Sequence, residues 1–263
     1  MIPEAYCLHR EFAPDGPLPF QMDRHYLLYA SSGTMRLEAV GRRWTLPPAR
    51  AALIAAGQSV SITILTQLTS ASVLFAPSYM PDPPAVTVFD VSPLARALIG
   101  ECQVYGPHDG PLPPYGQSLF QMLATVSLRL AATPSPLCLQ LPTSEPLRRA
   151  LDLTEAAAGE APTFAEIASQ TGQSTRALSR RFADEMGMTW RQALCRIRMM
   201  RAVEALAGSD APVTDIAFQV GCNSISAFNA AFRDLLGVSP TRYRDSFQGN
   251  EHTNPPGSTR SHS

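Results

Sequence analysis

Apolar and polar positions alternate along the first ninety residues, and the alternation predicts strands. Met35-Arg36-Leu37-Glu38-Ala39-Val40 reads as a half-buried strand, and Val60, Ile62 and Ile64 fall on one face between Ser59 and Leu65. Tyr26-Leu27-Leu28-Tyr29-Ala30 ends at the turn residues Ser31-Ser32-Gly33. Gly41-Arg42-Arg43 turns into Trp44-Thr45-Leu46, which Pro47-Pro48 stops. Ala52-Leu53-Ile54, Ser72-Val73-Leu74-Phe75 and Val86-Thr87-Val88-Phe89 add three more strands. Many short strands at this spacing predict a sandwich or small barrel. From Ser92 the period changes. Pro93 to Ile99 predicts a short helix with Ser92 as its cap. Leu119, Met122, Leu123, Val126 and Leu130 recur at helical spacing within Ser118–Leu130. Phe120 and Leu128 widen that apolar surface, which fits either burial in the domain or packing on a partner subunit. Thr133 to Pro146 carries four prolines and little pattern, as an interdomain linker does. Leu147 to Phe247 is helical in pattern, and Gly249 to Ser263 is polar and predicted disordered.

The helical part contains a repeat. Glu166-Ile167-Ala168-Ser169-Gln170-Thr171-Gly172 is echoed 49 residues later by Asp215-Ile216-Ala217-Phe218-Gln219-Val220-Gly221. Phe182 and Gly187 are echoed 50 residues later by Phe232 and Gly237. Each copy predicts a short helix that stops at a glycine able to take the left-handed conformation. A polar cap follows: Ser174 in the first copy, Asn223 or Ser224 in the second. A second helix then buries Leu178 and Phe182, or Phe228 and Phe232. Helix, glycine turn, helix is the helix-turn-helix pattern, and its second helix has the size to enter a DNA major groove. Leu178 and Phe182 define the inner side of the first such helix, so Arg176, Ser179 and Arg180 share another face. A solvated arginine face alone would be unremarkable; two tandem copies with the same glycine, Phe and trailing Gly make that bland reading improbable.

Composition narrows the class. The chain has 263 residues, 45% hydrophobic and 16% charged, with a formal net charge of −1. Global disorder is excluded. No run of about 18 uncharged apolar residues predicts a membrane span. Met1 to Arg10 lacks the pattern of a signal peptide, so a cytoplasmic protein is expected. The five cysteines (Cys7, Cys102, Cys138, Cys195, Cys222) are scattered without a CxxC pair, and buried thiols are expected rather than disulfides or zinc. All 21 basic residues are arginine. From Ser144 to Gln248, 12 Arg balance 12 Asp and Glu, so DNA binding has to rest on where the arginines sit. No nucleophile motif, phosphate loop or spaced carboxylate pair is present. Asp82, Asp90 and Asp109 lie beside prolines, glycines or serines and are assigned loop and capping roles.

Ser174-Thr175-Arg176-Ala177-Leu178-Ser179-Arg180-Arg181-Phe182 with Gly187, and Gly237-Val238-Ser239-Pro240 with Tyr243-Arg244, resemble the DNA-binding domain of AraC/XylS-family transcription regulators. The resemblance covers about Leu147 to Asp245. It implies that Leu194 to Leu206 is the helix joining two helix-turn-helix units, whose recognition helices enter adjacent major grooves about 34 Å apart. Two positions depart from the family pattern: Cys222 stands where Phe is usual, and Ala230 where Arg is frequent. Base readout is therefore expected chiefly from Arg176 and Arg180, and less from Ser179. The second helix offers Ser224, Ile225, Ser226, Asn229 and Ala230, with Asn229, Ser226, shape or backbone contacts contributing. The full DNA-contact set expected is Ser174, Thr175, Arg176, Ser179, Arg180, Arg181, Ser224, Ile225, Ser226 and Asn229. Among Arg191, Arg196, Arg198 and Arg201 some could meet phosphates, and Arg198 could equally be a structural ion-pair residue.

The segment from His25 to Ile64, with Leu46-Pro47-Pro48, resembles a cupin-like sensor domain. The resemblance implies a barrel that binds a small effector, and a dimerisation helix around Ser118 to Leu130. His9, His25 and His108 are far apart and form no His-x-His, which disfavours a metal enzyme. His25 reads as structural or ligand-facing. The expected protein is α+β and multidomain. A cupin-like β-barrel with flanking helices (1–132) is followed by a linker (133–146), an all-α domain with two helix-turn-helix units (147–247) and a disordered tail (248–263). It is expected to bind double-stranded DNA and a small-molecule effector of unknown identity, to be a homodimer, to need no metal or cofactor, and to contact RNA polymerase if it activates. The rival readings are a metal-dependent cupin-type enzyme with an accessory DNA-binding domain, and a module whose barrel binds another protein.

Overall fold

The computed structural model describes residues 2–248. The N-terminal part holds two five-stranded antiparallel sheets. The first runs β1(Ala5–Phe12)–β8(Leu68–Phe75)–β3(His25–Ser32)–β6(Arg50–Ile54)–β9(Val86–Asp90). The second runs β10(Leu139–Gln140)–β5(Arg42–Leu46)–β4(Met35–Ala39)–β7(Val60–Ile64)–β2(Asp15–Phe20). The expected strands are all present. The irregular, proline-bearing β2 and the polar end of β1 carry too little alternation to be predicted.

The expected barrel is not closed. Among the described residues no ladder joins the two sheets: consecutive strands β1 and β2 pair instead with β8 and β7, on opposite sheets. An open seam is left between them. The first sheet is buried on both faces, which explains the unbroken apolar run in β3. Leu27, Tyr29, Leu53, Val73 and Phe75 face α1(Pro93–Cys102) and α2(Pro114–Ala131). Tyr26, Leu28, Ala52 and Leu74 face Met35, Leu37, Trp44 and Ile64 of the second sheet. Ser92 caps α1 by accepting from the Ala95 amide at 3.2 Å, as its position predicts. His25 is buried. Its Nδ1 accepts from the Ala56 amide at 3.1 Å, which places its proton on Nε2, 3.5 Å from Asp82. It ties β3 to the turn after β6.

The helical part is built around α6(Trp190–Gly208), whose Ala193, Ile197, Met199, Met200, Val203 and Leu206 are buried on several sides. Around it pack α3(Glu145–Ala156), α4(Phe164–Gln170), α5(Thr175–Met186), α7(Val213–Gln219), α8(Ile225–Leu236) and α9(Pro240–Gln248). The segment before α3 is held at several points. β10 pairs with β5 through Leu139–Arg43 and Gln140–Arg42, and Leu137 and Leu139 enter the core of the helical part. The expected disordered tail from Gly249 onward lies outside the described residues.

The outer face of the second sheet receives the helical part. Glu155 on α3 accepts from Arg36 and, at 2.7 Å, from Arg43, whose Nε also reaches Glu38 at 2.6 Å. At the start of β6, Arg50 has no solvent exposure. Its Nε lies 3.0 Å from Asp90, and its guanidinium interacts electrostatically with the Tyr243 side chain on α9. Burial pushes the Tyr243 phenol up to about 12.

The β4–β5 hairpin turns through Val40 and Gly41, both at positive φ (46° and 71°). A β-branched residue is strained there, whereas Asn-Gly suits such a turn. Val40 is exposed, so its side chain has little packing to lose. Val40→Asn should stabilise the protein by about 1 kcal/mol, a rise of roughly 2–4 °C in thermal midpoint. A lower midpoint in a calorimetric scan would contradict the strain argument.

Candidate nucleic-acid interface

The two repeats fold as two helix-turn-helix units, α4–α5 and α7–α8, on either side of α6. In the first, Thr163 and Glu166 form a reciprocal cap: the Glu166 amide donates to the Thr163 hydroxyl at 3.2 Å, and the Thr163 amide to the Glu166 carboxylate at 2.8 Å. Those bonds hold the Glu166 carboxyl below its usual range. Both recognition helices start with a serine whose hydroxyl accepts from the third amide onward, Ser174 from Ala177 and Ser224 from Ala227, each at 3.2 Å. Ser224, not Asn223, is thus the cap of the second. Both helices end on a left-handed glycine, Gly187 and Gly237. Leu178 and Phe182, and Phe228 and Phe232, are fully buried.

On α5, Thr175, Arg176, Ser179 and Arg180 are exposed together on the face away from Leu178 and Phe182. Arg181 is turned aside. Its Nε lies 3.4 Å from Gln173 and its Nη1 3.7 Å from Glu185. Glu185 in turn accepts from the hydroxyl and amide of Ser144 and of Thr143, the amides at 2.8 and 3.0 Å; against its partial burial these bonds pull its carboxyl below the usual range and fasten α5 to the start of α3. On α8, Ser226 and Ala230 are exposed, Asn229 is half-buried, and Ile225 packs against the domain core. Of the residues expected on DNA, the fold brings Thr175, Arg176, Ser179 and Arg180 onto one open face. It commits Ser174 and Ser224 to capping and gives Arg181 and Ile225 contacts within the domain.

The arginines of α6 divide likewise. Arg196 Nη1 donates to the carbonyls of Pro136 and Cys138 at 2.9 and 3.3 Å. Arg198 donates to Ala158 and Glu160 carbonyls at 2.9 and 2.8 Å, so its structural role rests on backbone carbonyls, not on a carboxylate. Arg201 donates to the Glu155 carbonyl. Arg191 is exposed at the first turn of α6. What the sequence hid is the contact of the helical part with the second sheet: Glu155 lies 112 residues from Arg43, and no local pattern joins them. The hairpin register alone would have paired Glu38 with Arg43.

Residues 167–246 match a helix-turn-helix family. The chain carries an AraC-type helix-turn-helix domain. It is 38% identical over 86 residues to the HTH-type transcriptional activator RhaS of Klebsiella pneumoniae, covering 33% of this chain and 30% of that protein. It is 36% identical over 86 residues to the HTH-type transcriptional regulator VqsM of Pseudomonas aeruginosa, covering 33% of this chain and 26% of that one. The similarity thus spans less than a third of either relative's length. Among solved structures, the C-terminal domain of AraT, a response regulator from Geobacillus stearothermophilus, is 31% identical over 42% of this chain and 93% of its own, with a TM-score of 0.40.

The turn glycines of the AraC-type domain are not equivalent. Gly172 (φ 65°) has open space where a Cβ would stand. Gly221 (φ 90°) would place a Cβ 2.4 Å from the Ala158 carbonyl and 2.8 Å from Arg198 Nη2. Gly172→Ala carries only the left-handed strain, about 1 kcal/mol. Gly221→Ala adds a backbone clash and should cost roughly 2–4 kcal/mol. Equal losses in urea unfolding of the two variants would show that the Arg198 bridge yields freely.

Proposed function

We propose that the protein is a sequence-specific DNA-binding transcription regulator, controlled by a small molecule bound in its N-terminal part. The observation that carries this reading is the paired geometry: two helix-turn-helix units fixed on one helix, the first presenting Arg176, Ser179 and Arg180 to solvent. Arginine forks read guanine edges or grip phosphates without help from lysine. The second recognition helix, with Ser226, Ala230 and half-buried Asn229 toward solvent, contributes by shape and by neutral polar contacts. RhaS and VqsM are named as regulators of transcription, and nothing favours the enzyme alternative. Among the described residues no three His, Cys, Asp or Glu are grouped as metal ligands, and no helix is long and apolar enough to cross a membrane.

On this reading the helical part is the DNA-binding domain, the segment near 133–146 joins it to the sensor, and the working protein is a cytoplasmic homodimer that engages RNA polymerase when it activates. The effector acts by favouring one arrangement of the DNA-binding domains over another.

Footprinting of the full-length protein on DNA upstream of its own and neighbouring genes, at near-physiological salt with scrambled competitor, tests the reading. Protected direct repeats spaced by whole helical turns are expected. On that site Arg180→Ala should cost roughly 1–3 kcal/mol and relax preference at one base pair, whereas Arg181→Ala should cost less than about 1 kcal/mol and leave preference unchanged. Uniform weakening on all sequences by Arg180→Ala would make Arg180 a phosphate contact. Binding that stays sequence-indifferent throughout would overturn the regulator.

A further inference from the structure

The unclosed seam between β1 and β2 opens into a cavity of about 290 Å³ between the two sheets. Its walls are Leu28 and Met35 from the paired sheets, Ile62 and Ile64 from β7, and Leu68 from β8. Phe12 and Leu18 stand at its lip, each 39% exposed, and Phe20 stacks on Tyr26 at 5.1 Å between ring centres. None of the lining residues is charged.

Polar chemistry enters at one place. Ser70 lines the cavity, its Oγ 3.0 Å from that of Ser72. Ser72 donates to the Tyr29 carbonyl and accepts from the Tyr29 amide, both at 3.1 Å, bridging β3 and β8 just before their register shifts between Ala30 and Ser32. The Tyr26 phenol interacts with both serines, and burial pushes it up to about 12, so the cluster stays uncharged at any ordinary pH. Interiors are packed with few voids larger than one water, and this cavity has the volume of about ten. An ordered water needs two to four polar partners, and only the Tyr26–Ser70 end supplies any.

We infer that this seam cavity is the effector site, and that it takes a small uncharged molecule, an aromatic or alicyclic frame of one or two rings carrying a single hydrogen-bonding oxygen. The frame lies against Leu28 and Ile62, its oxygen meets Ser70, and it enters past Phe12 and Leu18. Carboxylates, phosphates and free sugars are excluded, because the walls offer no charge and one cluster of hydroxyls. The inference rests on the effector reading above but makes a separate claim about where and what.

The test titrates full-length protein with 1-naphthol, 4-ethylphenol and menthol, with 1-naphthoate and arabinose as controls, by calorimetry. At least one of the three neutral alcohols should bind at one site per chain. The naphthoate should bind tenfold more weakly than naphthol or not at all, and arabinose should not bind. Ile62→Trp and Leu28→Trp, which fill the cavity, should abolish binding; circular dichroism and operator binding in the absence of any compound confirm that each variant is folded. Ser70→Ala should weaken binding five- to tenfold. The proposal is overturned if none of the three alcohols binds, if naphthoate binds as well as naphthol, or if binding survives in folded forms of both tryptophan variants. Repeating the operator footprint with the bound alcohol separates the two claims. Binding in the cavity with an unmoved footprint upholds the site and sinks effector control through it. A footprint that answers to arabinose or another polar compound, with the alcohols silent, upholds the regulator and sinks the site.

Discussion

Taking a guanidinium wholly out of water is costly unless its charge is answered on the spot. Arg50 is answered from two parts of the molecule at once, by Asp90 on β9 and by the Tyr243 hydroxyl on α9. Asp90 answers the charge and the neutral Tyr243 hydroxyl adds a polar neighbour from α9, so the end of the β-sandwich and the last described helix meet at one buried group. Arg36 and Arg43 repeat the arrangement nearer the surface, both converging on Glu155. Three arginines of the sheet part thus set where the helical part sits, and α6 then sets where both recognition helices point.

The same helix shows how arginine is divided by function within a single domain. Arg196, Arg198 and Arg201 spend their donors on carbonyls of the preceding segments, and Arg181 is drawn onto Gln173 and Glu185. Arg176 and Arg180 stay turned to solvent. A balanced net charge over the domain therefore conceals an uneven distribution, and it is the open pair on α5 that gives the proposed interface its sign.

How much was legible beforehand follows from the range of each signal. The helix-turn-helix units were legible because caps, glycine turns and buried Phe positions are local: Ser174, Gly172 and Phe182 do in the fold what their spacing says. The inner strands were legible because period-two alternation needs no distant partner. β1 and β2 were not, since an edge strand facing solvent has little apolar alternation to show. The open seam was not legible either, because closure of a sheet is decided by which strands pair, and β1 and β2 pair at a distance with β8 and β7. Glu155 and Arg50 were invisible for the same reason. Arg181, read as a DNA contact, has exposure enough for that on a helical wheel; only the placement of Glu185 against Ser144 shows where its side chain is held.

The short segment between the sheets and the helices carries a mechanical consequence. A slack tether would dissipate any shift in the sandwich as random motion of the chain. Here the segment is stitched on both sides: Gln140 and Leu139 into the sheet, Leu137 and Leu139 into the helical core, and the Pro136 and Cys138 carbonyls onto Arg196. A displacement of β5 is therefore passed on as a push on α6 rather than absorbed. Leverage of this kind works in both directions: on the proposed function, gripping a DNA site would strain the sandwich by as much as the sandwich strains the grip.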